Sequence, residues 1–389
     1  MGYLRGRLEP PSCVAEARRQ RGPSVFYPAR LRTRVSKSHH DSRGDEAMNV
    51  AMKKRPTIFD VAKLAEVSIK TVSRVINQEP NVQQSTRNRV LVAVDKLGYK
   101  PNAAARGLSG QRSYAIGLVY QDPQEFSYIK QVLSGALAAC EAEGYSLLLR
   151  PITFPEDRLL ETIRDFVRQS SLEGVVLPVP LADLSDVQAL LQDLGVPIAQ
   201  ISPRQINSDL IQVFADDEEA SYTVTTYLLE QGHKRVGFIK GIDSHGATWL
   251  RLKGFRRALE ENQLELPPEL VVPGEFDFES GRLAAGKLLD LAEPPTAIIA
   301  SNDDMAAGVL FEAKERHVNV PENLSVVGFD DTPLAQRIWP PLTTVRQPIA
   351  EMVETAVSRL IKNIGGGTFE SRSSQFSCEL VIRASTQAI

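Results

Sequence analysis

Between Ile69 and Ile76 the apolar residues Val72, Val75 and Ile76 recur at the spacing of one helix face, which leaves Lys70, Thr71, Ser73 and Arg74 turned outward. Cationic and hydroxyl side chains on one side of a short helix suit a polyanion, since Lys and Arg neutralise phosphates and hydroxyls donate to them. Catalytic chemistry has no comparable support. No P-loop or G-x-G-x-x-G follows the first strand-like run, and neither a G-x-S-x-G elbow nor His-Glu-x-x-His occurs. His233 and His245 have no nucleophile beside them in sequence. Cys13, Cys140 and Cys378 lie far apart without a Cys/His cluster, which argues against both a disulfide framework and a zinc site. His39-His40 alone is not read as a metal site. The expectation is a non-enzymatic protein with no metal and no cofactor.

The elements that would carry the outward helix follow from local signals. Thr57-Ile58-Phe59-Asp60 reads as a helix start, with a hydroxyl cap and a carboxylate three residues on. Val61, Ala62 and Ala65 supply a small apolar face, Ser68 is a second cap, and a third helix is expected from Thr86 to Leu97, with Val90, Val94 and Leu97 inward and Gly98 as its stop. Two short helices joined by a tight turn and followed by a third make a helix-turn-helix plan. The charge distribution agrees. The whole chain of 389 residues has a net charge of -3, yet residues 53–112 hold 12 Lys/Arg against 4 Asp/Glu, and residues 113–389 hold 23 against 39. A basic module joined to an acidic body suggests a polyanion binder attached to a sensing domain.

Residues 1–52 also carry more Lys/Arg than Asp/Glu, 10 against 5, without sustained apolar period. They read as a disordered extension, or as upstream of a true start at Met48 or Met52. No apolar h-region of a secretory signal is visible, and no run of about 18 apolar residues spans a membrane, so a cytoplasmic location is expected.

Beyond Tyr114 the pattern alternates. Tyr114–Tyr120, Gly174–Val179, Pro197–Ile201, Arg235–Lys240, Thr296–Ala300 and Ser325–Phe329 are short β-rich runs, with helix-length segments such as Ser134–Glu143 and Glu219–Gln231 between them. Such alternation predicts parallel sheets covered on both faces. The runs fall into two sets of three, which predicts two similar α/β lobes with ligand bound off the strands' carboxyl ends. The domain plan is therefore 1–52 extension, 53–100 small all-α helix-turn-helix domain, 101–112 hinge or linker, and 113–389 two-lobed effector-binding and dimerisation body.

The run Thr57-Ile58-Phe59-Asp60-Val61-Ala62 through Val72-Ser73-Arg74-Val75-Ile76-Asn77 closely resembles the DNA-binding head of the lactose-repressor (LacI/GalR) family. The resemblance continues through Pro101-Asn102-Ala103-Ala104-Ala105-Arg106-Gly107-Leu108, Arg251-Leu252-Lys253-Gly254-Phe255, Ser301-Asn302-Asp303-Asp304-Met305-Ala306, Gly328-Phe329-Asp330-Asp331 and Pro341-Leu342-Thr343-Thr344-Val345. It covers residues 53–389 nearly end to end. It implies a periplasmic-binding-protein-like body behind the helix-turn-helix head, and a recognition helix that puts Ile69, Lys70 and Arg74 at base edges in the major groove. Arg74 can pair with guanine O6/N7 and Ile69 can touch a thymine methyl. Thr57, Thr71, Ser73 and Asn77 would bind phosphates. Asn102, Ala105 and Leu108 belong to the hinge that the resemblance lays on DNA, with Leu108 as an apolar wedge in the minor groove. Glu66 departs from the family, which usually has glycine at this turn, and a non-Gly residue there is expected to strain it.

In the body, the resemblance nominates Arg251, Asn302 and Asp330 as effector contacts, Phe276 as an aromatic that stacks on ligand, and Gln347 on the crossover between lobes. Asp303 is expected to cap a helix beside them, while Trp249 and Phe278 read as packing. After Tyr120 the chain departs from many relatives, and Asp122, Ser127 and Tyr128 are expected to face the effector. The implied function is a homodimeric transcriptional repressor of carbohydrate-utilisation genes, released from double-stranded operator DNA by a mono- or disaccharide. The alternative is a corepressor-type regulator whose DNA binding a purine or other small ligand strengthens. A transport binding protein would share the body but not the basic head. Little chain follows Arg383, so a dimer rather than a tetramer is expected.

Overall fold

The computed structural model describes residues 56–76, 81–99, 112–121, 127–154, 156–369 and 371–389. The leader, the hinge up to residue 111, and with them Asn77, Asn102, Ala105, Leu108 and Asp122, lie outside the described residues.

Three helices make the head: α1 (Ile58–Ala65), α2 (Ile69–Ile76) and α3 (Gln84–Leu97). Four of the helix ends have a local chemical cause. At α1 the Thr57 amide donates to Asp60 Oδ2 at 2.8 Å and the Asp60 amide donates to Thr57 Oγ1 at 3.4 Å, a reciprocal capping box. The helix stops at Glu66, whose backbone is left-handed at φ 53° and ψ 48°, and whose amide reaches back to the last turn. Ser68 Oγ accepts from the Thr71 amide at 3.1 Å at the start of α2. Gly98, at φ 60°, ends α3. Val61, Ala62, Ala65, Val72, Val75, Val90 and Ala93 form a small core.

The body has two sheets of six strands each. The first lobe contains β1 (Ala115–Gln121), α4 (Ser127–Glu143), β2 (Ser146–Ile152), α5 (Leu159–Gln169), β3 (Gly174–Pro178), α6 (Ser185–Asp193), β4 (Ile198–Ile201) and β5 (Ile211–Ala215). The second contains α7 (Asp217–Glu230), β6 (Val236–Lys240), α8 (Gly246–Glu261), β7 (Val271–Pro273), α9 (Phe278–Leu289), β8 (Ala297–Ala300), α10 (Asp303–Glu315), β9 (Ser325–Phe329) and β10 (Thr343–Arg346). The chain then returns to the first lobe for α11 (Ile349–Ile364) and β11 (Ser373–Phe376), and crosses once more to β12 (Glu379–Val381). The sheet orders are β11-β5-β4-β3-β1-β2 and β12-β10-β9-β8-β6-β7. Every pairing is parallel except β10 with β12.

Two sets of three strands were expected, and all six of those runs are strands. The sheets double in width through strands that carry little sequence signal. β2, β7, β11 and β12 lie at sheet edges, where residues stay partly exposed and no continuous apolar run is required. Of the inner strands, β3, β8 and β9 are buried throughout and the others at all but one residue. The chain passes between lobes three times, near Asp216, Gln347 and Ser377.

Candidate functional site

On the head, Ile69, Lys70 and Arg74 are exposed on α2, opposite the buried Val72 and Val75, and Thr57 is exposed at the start of α1. Thr71 and Ser73 are half-buried, with the Thr71 hydroxyl 2.9 Å from Ser68 Oγ. Ile69 and Lys70 stand at the N-terminal end of α2, the end a recognition helix turns toward base edges.

In the body, a cavity of about 480 Å³ opens where the carboxyl ends of the two sets of strands face each other. Gln121 ends β1, Val179 follows β3, Ser202 follows β4 and Asp217 follows β5. From the second lobe come Ile242 after β6, Phe276 after β7, Asn302 after β8, Asp330 after β9 and Gln347 after β10. Tyr128, Arg251, Phe276, Asn302, Asp330 and Gln347, all named from sequence, line this one space.

Their partners define what each can offer. Arg251 is 5 % exposed. Its Nε donates to Asp217 Oδ1 at 2.7 Å, Nη1 donates to the Ser301 carbonyl, and Nη2 lies 3.9 Å from Asp330 Oδ1. Its cationic carbon sits 3.7 Å above the Phe329 ring. Asp330 Oδ1 also accepts from Gln347 Nε2 at 2.5 Å, which ties the crossover strand to the cavity floor. Burial raises the Asp330 carboxyl above the usual range although Arg251 and Gln347 oppose it. Burial, with the Asp330 charge, also raises the Tyr128 hydroxyl above its ordinary value.

Phe276 sits on the turn after β7 at φ 64° and stacks on His245, with ring centroids 5.4 Å apart and planes at 25°. A Cβ on Gly241 would stand 1.9 Å from the Phe276 ring, so a larger residue there would displace the ring from its present position. Burial, and then the Arg251 charge, lower His245 to about 4, so the imidazole is neutral at physiological pH.

Helix capping here differs from the expectation. Asn302 caps α10, its Oδ1 accepting from the Met305 amide at 2.9 Å, while Nδ2 donates to the Phe276 carbonyl at 2.8 Å. Asp303 is instead the first residue inside the helix, fully buried and turned back into the lobe. It accepts from the Thr332 amide at 2.6 Å and from the Thr344 hydroxyl at 2.6 Å. An aspartate with three buried donors around it gains more by cross-linking β9 and β10 than by capping, and its neighbour has the extended backbone a cap needs. Burial, and then Asp330, push the Asp303 carboxyl up to about 8.

Ser127 reaches the site indirectly. Its Oγ donates to Asp304 Oδ1 at 3.0 Å, a bond from the first lobe to the second, and Asp304 lines the cavity. Trp249 is exposed, with Nε1 donating to the Asp243 carbonyl at 2.7 Å, and Phe278 packs edge-on against Phe311. Sequence reasoning passed over Asp217, His245, Asp304 and Ser202. Asp217 had a faint signal, the doublet Asp216-Asp217. One aspartate is enough to cap α7, and Asp216 does so, which left the second unexplained.

Comparison with known proteins agrees with both halves. Bacterial regulatory proteins of the lacI family match residues 57–102, and the periplasmic binding protein-like domain matches residues 225–386. The HTH-type transcriptional repressor CytR of Escherichia coli (strain K12) is 33% identical over 335 residues, covering 86% of this chain and 97% of that protein. The lac repressor dimer bound to operator and the anti-inducer ONPF superposes with a TM-score of 0.67 at 28% identity, over 86% of this chain and all (100%) of that one. The transcriptional regulator CelR in complex with cellobiose gives 0.66 at 30% identity, over 85% of this chain and 100% of that one. Members of this family are non-enzymatic. A helix-turn-helix head, two parallel-sheet lobes around a polar and aromatic cavity, and end-to-end similarity to a curated repressor lead to one assignment: the chain belongs to the LacI family of DNA-binding transcriptional regulators, whose operator binding responds to a small-molecule effector.

Proposed function

We propose that this regulator is a homodimeric repressor of carbohydrate-utilisation genes, acting in the cytoplasm and released from its operator by a mono- or disaccharide. The observation that carries the reading is the cavity itself. The aromatic ring of Phe276 lines it together with the hydrogen-bonding groups of Arg251, Asp330 and Gln347 from the second lobe and of Tyr128 and Ser202 from the first. Sugars present an apolar face for an aromatic ring and a rim of hydroxyls for planar forks and carboxylates. The similarity to a regulator solved with cellobiose supports the same class. On the DNA side, two heads related by a dyad read the halves of a pseudo-palindromic operator through Ile69, Lys70 and Arg74. Thr57, Thr71, Ser73 and Asn77 bind phosphates, and the hinge residues Asn102, Ala105 and Leu108 follow the head onto the duplex.

An effector touching both lobes favours one interlobe geometry, and that preference is the coupling energy available to the hinge. Such couplings run to about 1–3 kcal/mol, or roughly 5–150-fold in operator affinity. A second reading, a corepressor that binds a purine, is favoured by the stacked Phe276–His245 pair, whose combined flat surface suits a heterocycle.

The test is fluorescence anisotropy of the full chain on the DNA upstream of its own reading frame. Glucose, cellobiose, maltose, adenosine, guanine and hypoxanthine are titrated in turn. Release by a sugar is the expected result, and tightening by a purine would favour the second reading. Operator affinity unmoved by any of them would refute both.

A further inference from the structure

We propose that Gly246, seated against the backbone of Arg204, is the stop that sets how far the two lobes close on the effector, a role that rests on the reading of this cavity as the effector site.

The two lobes touch beside the cavity. Ser202, just after β4, lines it from the first lobe, and His245 and Ala247, at the start of α8, line it from the second. Gly246 between them is buried and is not part of the cavity wall. Its bare side faces the first lobe instead. A Cβ on Gly246 would stand 2.8 Å from Arg204 Cα, 3.4 Å from Arg204 Cβ and 3.5 Å from the Arg204 amide nitrogen. Gly246 opens a helix and is not among the left-handed glycines, so its own backbone conformation does not call for glycine. The close approach of the other lobe does.

A close approach acts as a stop only when both surfaces are rigid. Arg204 meets Gly246 through its backbone rather than through the end of a flexible side chain, and that backbone is tied down. The Arg204 amide donates to Asp183 Oδ1 at 2.7 Å. Further along the same loop the Asn207 amide donates to Gln212 Oε1 at 2.7 Å, and the Gln205 carbonyl accepts from Gln212 Nε2 at 3.3 Å. Gln212 Nε2 also donates to Gln200 Oε1 at 2.7 Å, and Gln200 Nε2 donates to the Ala182 carbonyl at 2.6 Å. Both glutamines are 1 % exposed, so the loop hangs from a buried polar chain in which every lost partner is costly. On the facing side, Thr248 Oγ1 donates to the Ile242 carbonyl at 2.7 Å and Trp249 Nε1 donates to the Asp243 carbonyl at 2.7 Å, which closes the turn into α8. Carbon atoms in contact sit about 3.5–4.0 Å apart, so a methyl on Gly246 needs about 1 Å more room. Neither surface yields that without breaking one of these bonds. The freedom that remains is the angle between the lobes, and an effector held from both sides loses contact as that angle widens.

The test titrates the full chain and its Gly246→Ala variant by calorimetry with whichever of glucose, cellobiose, maltose, adenosine, guanine and hypoxanthine moves operator binding. The expected result is binding about tenfold weaker in the variant, since a gap of 0.5–1 Å forfeits about a quarter to a half of each van der Waals contact. Its Tm should stay within about 2 °C of the parent or rise, because alanine loses less backbone freedom on folding than glycine. Asp183→Ala releases the Arg204 amide and lets the loop retreat, so in combination with Gly246→Ala it should restore about threefold of the lost affinity. Affinity within twofold of the parent in Gly246→Ala overturns the stop and leaves the effector reading standing. A Tm lowered by more than about 2 °C overturns it too, because the contact then serves the fold rather than the angle between lobes. Losses that simply add in the double variant overturn the part given to the Arg204 loop. If none of the six compounds moves operator affinity, the effector reading fails and the stop falls with it.

Discussion

Arg251 bears on stability and on sensing at once, and the structure allows the two to be separated. Both it and Asp217 are 5 % exposed at the side chain, and the pair is joined at 2.7 Å. Arg251→Ala leaves Asp217 and Asp330 buried with their counter-charge gone, and leaves the Ser301 carbonyl without its donor. Breaking a buried pair from one side costs about 3–5 kcal/mol, chiefly the penalty of an uncompensated charge. Unfolding entropy is about 2.1 cal/mol/K per residue, or about 0.6 kcal/mol/K for residues 113–389, so Tm should fall by about 5–9 °C in a calorimetric scan. Replacing both partners, as Arg251→Met with Asp217→Leu, removes the orphaned charge together with the ion pair. Such exchanges are often neutral in stability. The double variant should recover at least half of the lost Tm, the remainder reflecting Asp330, which Gln347 still contacts. Both variants should bind operator and lose the effector response, since each lacks the guanidinium at the cavity floor. A single variant melting within about 2 °C of the parent would refute the cost assigned to the buried pair. A double variant showing the sum of two single losses would refute the claim that the loss comes from a stranded charge.

Arg74→Ala should weaken specific operator binding by about tenfold to hundredfold and leave binding to random duplex nearly unchanged, read by anisotropy with both probes. Glu66→Gly should relieve a left-handed backbone that costs a side-chain-bearing residue about 1 kcal/mol, slowing hydrogen exchange of the α1 and α2 amides about fivefold. Exchange that is unchanged or faster would count against strain at this turn. His245 sets a pH dependence. Burial and Arg251 lower it in the folded protein to about 4 from 6.5, so the unfolded chain binds more protons between those values. Its contribution is complete above about pH 6.5 and is lost as pH falls toward 4, by at most about 1.4 kcal/mol per pH unit. Asp303, raised to about 8, acts with the opposite sign over that range, so the informative quantity is the Tm difference between His245→Gln and the parent. That difference should move in favour of the variant as pH drops from 7 to 4.5, and a flat difference would contradict the assignment.

Much of the fold was legible because its causes are local. The Thr57–Asp60 capping box, the Ser68 cap and the Gly98 stop are interactions over three or four residues, and each forms as the residue types dictate. Six inner strands were legible because a parallel strand covered on both faces must be largely apolar, as Val175, Val176 and Leu177 are, while β5 and β10, also inner, carry the polar residues Gln212, Thr343, Thr344 and Arg346 and gave no such run. β2 was missed because an edge strand leaves Ser146, Leu149 and other positions partly in water, and β7 and β12 because three residues carry no period. At the site, Arg251, Asn302 and Asp330 could be named from family pattern. Asp304 and Asp217 could not, since a carboxylate in the first turn of a helix is expected there on dipole grounds alone.

Residue order was enough for the head helices and their caps, six of the strands, the basic head on an acidic body and the family to which the order of motifs belongs. Which polar groups meet across the cleft follows from the folded chain alone. Arg251 finds Asp217 across 34 residues, and Ser127 finds Asp304 across 177. The physical reason is that these pairings depend on two sheets presenting their carboxyl ends to one desolvated space. A side chain there is chosen by what it faces across the cleft, and no neighbour in the chain records that choice.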